Sequence, residues 1–242
     1  MTRKLQNNHF WYANRDVNEQ KSLHFHYFSN LEISMVTNYS SKETSIPWNK
    51  GKLIGQKLPL KASHVWSIRT LLQKSGNLRD LVLFNLAIDS KLRGCDLVRL
   101  KRSDVAQSHR VSTRASVVQQ KNGTPVQFEI TEKTRKSLEH WFEHADIRHS
   151  DYIFQSRFHD SAHITTRTYA RIVINWVASI GLEPADNGTH SLRRTKASIL
   201  YKKRHNLREI QILLGHKKIE STVHYLGITV EDALESSEHL DL

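Results

Sequence analysis

The sequence predicts a mainly α-helical protein carrying one small antiparallel β-sheet. Three observations predict it. Apolar residues recur at helical spacing, between capping and stop residues, from Ser63 onward. One stretch alone, 111–130, sets β-branched and alternating runs on either side of Asn122-Gly123. Nine glycines and four prolines are spread thinly through 242 residues, of which 38% are hydrophobic, enough for a packed core.

Residues 1–60 stand apart from the rest. They mix aromatics (Phe10, Trp11, Tyr12, Phe25, Tyr27, Phe28) with Asn, Ser and scattered charge, and end in a basic connector around Pro47-Trp48-Asn49-Lys50-Gly51-Lys52. Ser63 then opens a helix with Val65, Ile68, Leu71 and Leu72 on one stripe, stopped at Gly76; Asn77 caps a second over 78–89. Strands are expected over 111–119 and 126–130, joined at Asn122-Gly123, a pair that supplies the positive φ angles of a tight hairpin turn. Helices follow over 131–144 and 166–180, the latter ended by Gly181, with the short apolar Tyr152-Ile153-Phe154 between them. Thr189 precedes a helix of about 15 residues through Arg204. Asn206 and Glu209 form a capping-box variant that opens a short helix ended by Gly215. Thr229 and Asp232 repeat the capping logic before an acidic tail with Glu231, Glu235, Glu238 and Asp241.

Charge narrows the partner. Thirty-six Lys and Arg against 24 Asp and Glu give a net charge of +12. Cations placed on phosphates release condensed counterions, so nucleic acid is the expected partner. A membrane partner is not expected: runs such as Leu81-Val82-Leu83-Phe84 and Ile172-Val173-Ile174 are broken far short of the roughly 20 residues of a span. Met1 to Tyr12 has no apolar core of a secretory signal, so a cytoplasmic protein is expected. Cys95 stands alone, which excludes an intrachain disulfide and a cysteine zinc cluster, and no His-Glu-x-x-His occurs. No cofactor is expected.

A cationic site that needs no metal suits this composition. Breaking a phosphodiester then takes a nucleophile, cations on the non-bridging oxygens and a proton donor for the leaving oxygen. His190 and Arg193, at i and i+3, share one face near a helix N-terminus, where anions are favoured. His216 follows the Gly215 stop, and Tyr225 comes nine residues later.

This pattern, His190-Ser191-Leu192-Arg193, then Leu214-Gly215-His216, then Tyr225, resembles the tyrosine recombinase (phage integrase) family. Leu92-Arg93-Gly94-Cys95-Asp96-Leu97 matches the family's first-arginine segment, and Lys121 occupies the place of its hairpin lysine. The resemblance covers about residues 63–235 and implies the integrase catalytic-domain fold over 61–242. It further implies that Tyr225 attacks a scissile phosphate to give a 3′-phosphotyrosine, without metal or ATP. Arg93 and Arg193 would brace the phosphate, Lys121 would protonate the 5′-oxygen, and His190 and His216 would assist proton movement. Lys196, Lys202, Lys203 and Arg204 are candidate contacts to the DNA backbone.

Two departures from the family pattern stand out. Arg194 replaces the histidine that many members carry there, and residues 1–60 do not read as the helical core-binding domain that usually completes a clamp on double-stranded DNA. A partner that supplies that domain is therefore one expectation; a homo-oligomer joined through the acidic C-terminal helix is another. The competing readings are a non-catalytic DNA-binding accessory protein that keeps the fold, and relaxation of supercoils in the manner of type IB topoisomerases.

Overall fold

In the computed structural model, residues 56–228 are described apart from 109, 146, 149, 150 and 158–160, together with 234, 237 and 238. The chain divides into two compact units, Met1–Lys50 and Gly51–Leu242. The expectations for residues 1–55 and for a packed acidic tail lie outside the described residues.

Helix α1 (Ala62–Lys74) turns the stripe Val65, Ile68 and Leu72 inward, while Leu71 stays exposed. Helix α2 (Leu78–Ser90) starts where the Asn77 side chain accepts the backbone N–H of Asp80 at 3.2 Å. It is the central pillar: every residue from Asp80 to Ser90 is buried. A helix buried all round demands neighbours on all sides, and α2 packs against α1, the hairpin and three later helices.

Two short helices, α3 (Gly94–Leu97) and α4 (Arg102–Val105), follow. A minimal pair, β1 (Ala106–Gln107) with β2 (Arg110–Val111), precedes the hairpin of β3 (Arg114–Val118) and β4 (Pro125–Glu129). Thus the strand expected over 111–119 breaks at residues 112–113, and the sheet is two separate two-stranded ladders. The hairpin connection is 119–124, longer than a two-residue turn, and only Gly123 in it has positive φ.

Helices α5 (Glu132–His144) and α6 (Thr166–Ser179) fall where the sequence puts them. The Thr165 hydroxyl caps α6 by accepting Thr168 N–H at 3.1 Å. Ile153 and Phe154 are buried between them, held by Ile153 N–H to Leu100 C=O at 2.9 Å. Helix α7 (Thr189–Arg204) takes Gly188 as its N-cap, so Thr189 is its first residue. Helix α8 (Leu207–Leu214) begins at Asn206, whose side chain accepts Glu209 N–H at 3.1 Å.

Helix α9 (Ile219–Leu226), which carries Tyr225, is not anticipated by the sequence. Ile219, Thr222 and Val223 are β-branched and weaken its intrinsic propensity. Packing on α7 and α8, and closure at Gly227, hold it instead.

The core is one large cluster around α2, with a small second one of Ala197, Ile210 and Leu214 beneath α7, α8 and α9. A buried ionic network ties the α2 end to the rest. Asp89 accepts Thr131 Oγ1 at 2.7 Å, Thr134 Oγ1 at 2.5 Å and Lys196 Nζ at 2.7 Å. Lys91, 2% exposed, donates to Asp89 C=O at 2.7 Å and pairs with Glu129 at 3.1 Å. Satisfied on every side, such charges fix geometry rather than add much stability. They fix the segment that leads to Arg93.

Candidate active site

Five of the six expected residues lie at element ends. Arg93 is the N-cap of α3, Lys121 is in the hairpin connection, His190 and Arg193 sit in the first turns of α7, and His216 follows Gly215. Tyr225 projects from the last turn of α9.

The C-terminal end of α8 organises them. His216 N–H bonds Gln211 C=O at 3.1 Å and Gly215 N–H bonds Ile212 C=O at 3.1 Å, the paired bonds of a left-handed glycine stop. Three successive carbonyls then receive side-chain amides or a guanidinium. Leu214 C=O accepts Arg193 Nη2 at 3.2 Å and Gln119 Nε2 at 3.1 Å. Gly215 C=O accepts Asn122 Nδ2 at 3.2 Å, and His216 C=O accepts Gln211 Nε2 at 3.0 Å. Gln119 Oε1 in turn accepts Arg93 Nη1. The two arginines are thereby linked through one buried amide, 1% exposed, and one main-chain oxygen.

Gly215 is required here twice over. Its φ is +66°, and a Cβ would stand 2.5 Å from Val126 Cγ2 and 3.3 Å from Gln119 Nε2. The Leu-Gly-His turn is therefore a packing device that brings the hairpin, with Lys121 in it, against the C-terminal end of α8.

Arg193 is 3% exposed, and its Nε and Nη1 have no hydrogen-bond partner. The Tyr225 hydroxyl is likewise buried without a partner, although the Arg193 guanidinium lies 5.6 Å from the ring centroid. Burial pushes the phenol up to about 12, against the pull of Arg193, Arg194 and Arg93. The His216 ring meets Tyr225 edge-on, 5.3 Å between centroids, and its Nδ1 is 3.1 Å from Thr222 Oγ1. Burial, then Arg193 and Arg93, bring the His216 imidazole down to about 4, so it is neutral at pH 7. His190 is exposed overall, yet desolvation followed by Arg193, Arg194, Arg93 and Lys121 lowers its proton affinity too. Buried donors left unpaired beside an unpaired phenol have the chemistry to bind an oxyanion.

Of the candidate backbone contacts, Lys202, Lys203 and Arg204 are exposed in the last turn of α7, with Arg204 3.9 Å from Glu209. Lys196 is different. Its ammonium turns inward to Asp89 at 2.7 Å and Glu129 at 2.5 Å, because two partly buried carboxylates need a counter-charge there. We assign it to the fold. Cys95 is half-buried, and desolvation raises its thiol. Among the described residues no group of three or more His, Cys, Asp or Glu is arranged to hold a metal ion, and no helix is long and apolar enough to cross a membrane.

The chain is similar to known proteins over this region. A family model described as the phage integrase family matches residues 60–231. The chain is 28% identical over 152 residues to the "Probable integrase/recombinase YoeC" of Bacillus subtilis (strain 168), covering 63% of this chain and 79% of that one. It is 31% identical over 152 residues to tyrosine recombinase XerC of Erythrobacter litoralis (strain HTCC2594), covering 62% of this chain and 46% of that one. The fold matches the crystal structure of XerH site-specific recombinase bound to a palindromic substrate in a post-cleavage complex, with a TM-score of 0.60 at 19% identity, over 76% of this chain and 53% of that one. The chain thus spans about half the length of the latter two.

Proposed function

Since the chain belongs to the phage integrase family, we propose that it is a tyrosine-type site-specific DNA recombinase that breaks and rejoins strands by transesterification. The observation that carries this is the buried, unpartnered Tyr225 hydroxyl beside the buried, unpartnered donors of Arg193. An unsatisfied buried polar group is costly, and a backbone phosphate satisfies both at once.

In this reading Arg93 and Arg193 hold the non-bridging oxygens, each guanidinium offering paired donors in a fixed fork. Tyr225 Oη bonds to phosphorus as the bond to the 5′-oxygen breaks, leaving a 3′-phosphotyrosine and a free 5′-hydroxyl. Lys121 gives the departing oxygen its proton, and His216, neutral beforehand, takes the phenol proton, with His190 hydrogen-bonding the phosphate. A second 5′-hydroxyl then attacks the phosphotyrosine and reverses the step on a new strand. The covalent link conserves bond energy, so neither ATP nor a metal is required. Lys202 and Lys203, with Arg204 beside Glu209, steer double-stranded DNA. Assembly through the acidic C-terminal segment, and a partner that completes the clamp, belong to the same proposal, as does a cytoplasmic location.

The test uses a pool of nicked duplexes of randomised sequence, from which DNA attached to the full chain is recovered under denaturing conditions. Covalent attachment that disappears in Tyr225→Phe supports the reading; attachment that survives it removes Tyr225 as nucleophile. Salt-sensitive binding with no attachment on any duplex favours an accessory DNA-binding protein.

A further inference from the structure

The departure at Arg194 has a structural counterpart. Its side chain runs back beneath residues 56–60, the connector into α1, where Nη1 donates to Lys57 C=O at 2.6 Å. The residue is 6% exposed, its Cζ stands 5.5 Å from the Tyr225 ring centroid, and its Nη2 lies so close to Gly227 that a Cβ there would meet it at 3.3 Å. Arg194 therefore touches three things at once: the connector, the Tyr225 ring and the turn that ends α9.

The connector is fastened in step with it. Gln56 Nε2 donates to His224 C=O at 2.6 Å, in the last turn of α9. The Lys57 ammonium bonds Ala185 C=O, Leu58 N–H bonds Asp186 C=O at 3.1 Å, and Leu60 N–H bonds Thr195 Oγ1 at 3.0 Å. Four of the five residues from 56 to 60 are thus tied to the segment before α7, to α7 itself or to α9. Apolar burial alone holds α9 weakly, since the cluster beneath it has only three fully buried members and α9 is eight residues long. Polar ties then carry a large share of its placement.

We propose that Arg194, together with Gln56, is a positioning residue for the nucleophile: it fastens the connector to α7 and α9 so that these three segments hold the Tyr225 ring as one unit. The role of Tyr225 as nucleophile rests on the recombinase reading; the fastening itself does not. The connector is coupled to Tyr225 through two side chains rather than through the large core.

Two measurements on the full chain test this. In Gln56→Ala, Arg194→Lys and the double variant, amide exchange over 219–227 is expected to speed up about three- to tenfold, the size of one or two lost hydrogen bonds, while α2 and α5 exchange as before. Because both residues act on one element, the double variant falls short of the product of the singles. Gln56 is exposed, so its variant folds. Unchanged exchange over 219–227, or faster exchange spread through α2 and α5, overturns the proposal. On a duplex that the wild type attaches covalently, both variants are expected to attach about tenfold more slowly with unaltered DNA affinity; a wild-type rate overturns the positioning of Tyr225. A wild type that attaches no duplex sinks the recombinase reading, and the exchange measurement then still decides the fastening.

Discussion

Gly215→Ala puts a single methyl into the most constrained point of the site. Two costs arise, and the structure separates them. A side chain at φ +66° carries left-handed strain of about 1–2 kcal/mol. The added Cβ also meets Val126 Cγ2 at 2.5 Å, and Val126 is 3% exposed on β4, paired with Val117 of β3. A branched residue on a paired strand cannot swing aside, so the hairpin must move as a body, at about 1–3 kcal/mol for overpacking. The sum is about 2–5 kcal/mol, within the reserve of an ordinary domain. Gly76→Ala is the matched control: its φ is +65° and nothing lies within 4 Å, so it carries the strain alone. Urea unfolding of both variants should show Gly215→Ala less stable than Gly76→Ala by about 1–3 kcal/mol. Covalent attachment to DNA should fall further in Gly215→Ala than stability explains, because Gln119 and Lys121 travel with the hairpin. Equal stability of the two variants, with normal attachment by Gly215→Ala, would refute the account of the Leu-Gly-His turn.

Gln119→Leu removes the bond to Leu214 C=O and the acceptor for Arg93, while Arg193 still satisfies Leu214. It should cost about 2 kcal/mol in urea unfolding and slow DNA attachment, since Arg93 loses its orientation; stability and rate both at wild-type values would contradict the link. Lys121→Ala should slow attachment on ordinary DNA but recover on a duplex whose leaving 5′-oxygen is replaced by sulfur, because a thiolate (thiol pKa about 8.5) departs unprotonated. Failure of the sulfur substrate to rescue would assign Lys121 elsewhere. His216, brought down to about 4 when folded against about 6.5 unfolded, is bound to fewer protons in the folded state across that window. Its contribution to stability is therefore complete above about pH 6.5 and lost as pH falls toward 4, and NMR titration of the DNA-free chain should find one imidazole still neutral at pH 5. A His216 midpoint near 6.5 would show that the ring is neither buried nor faced by the two arginines.

The residues proposed to meet the phosphate were legible in the sequence because their side-chain chemistry is distinctive and each sits beside a helix stop, a cap or a turn. What fastens them was not. Gln119 finds Leu214 across 95 positions, and the acceptor is a main-chain oxygen, which no residue type announces. Asn122 drew notice as half of a tight turn, yet it has negative φ and works through its amide on Gly215. Helix α9 escaped because β-branched residues hide a helix made by tertiary packing and its end turn. Lys196 reads as a contact to the DNA backbone; its partner Asp89 is 107 positions away. The helices around α2 were readable for the opposite reason, since each has a local cap or stop and an apolar pattern of its own.

The orienting groups around the two arginines are uncharged. Gln119 Oε1 and Leu214 C=O aim the guanidinium groups, and none of Arg93, Lys121, His190 or Arg193 enters an ion pair among the described residues. Carboxylates would have steered them as well, but each would have cancelled a unit of the field that draws in a polyanion. With amides as fasteners, aim and attraction are supplied by different atoms, and the buried Asp96 carboxylate is the one negative charge that acts on Arg193 among the described residues.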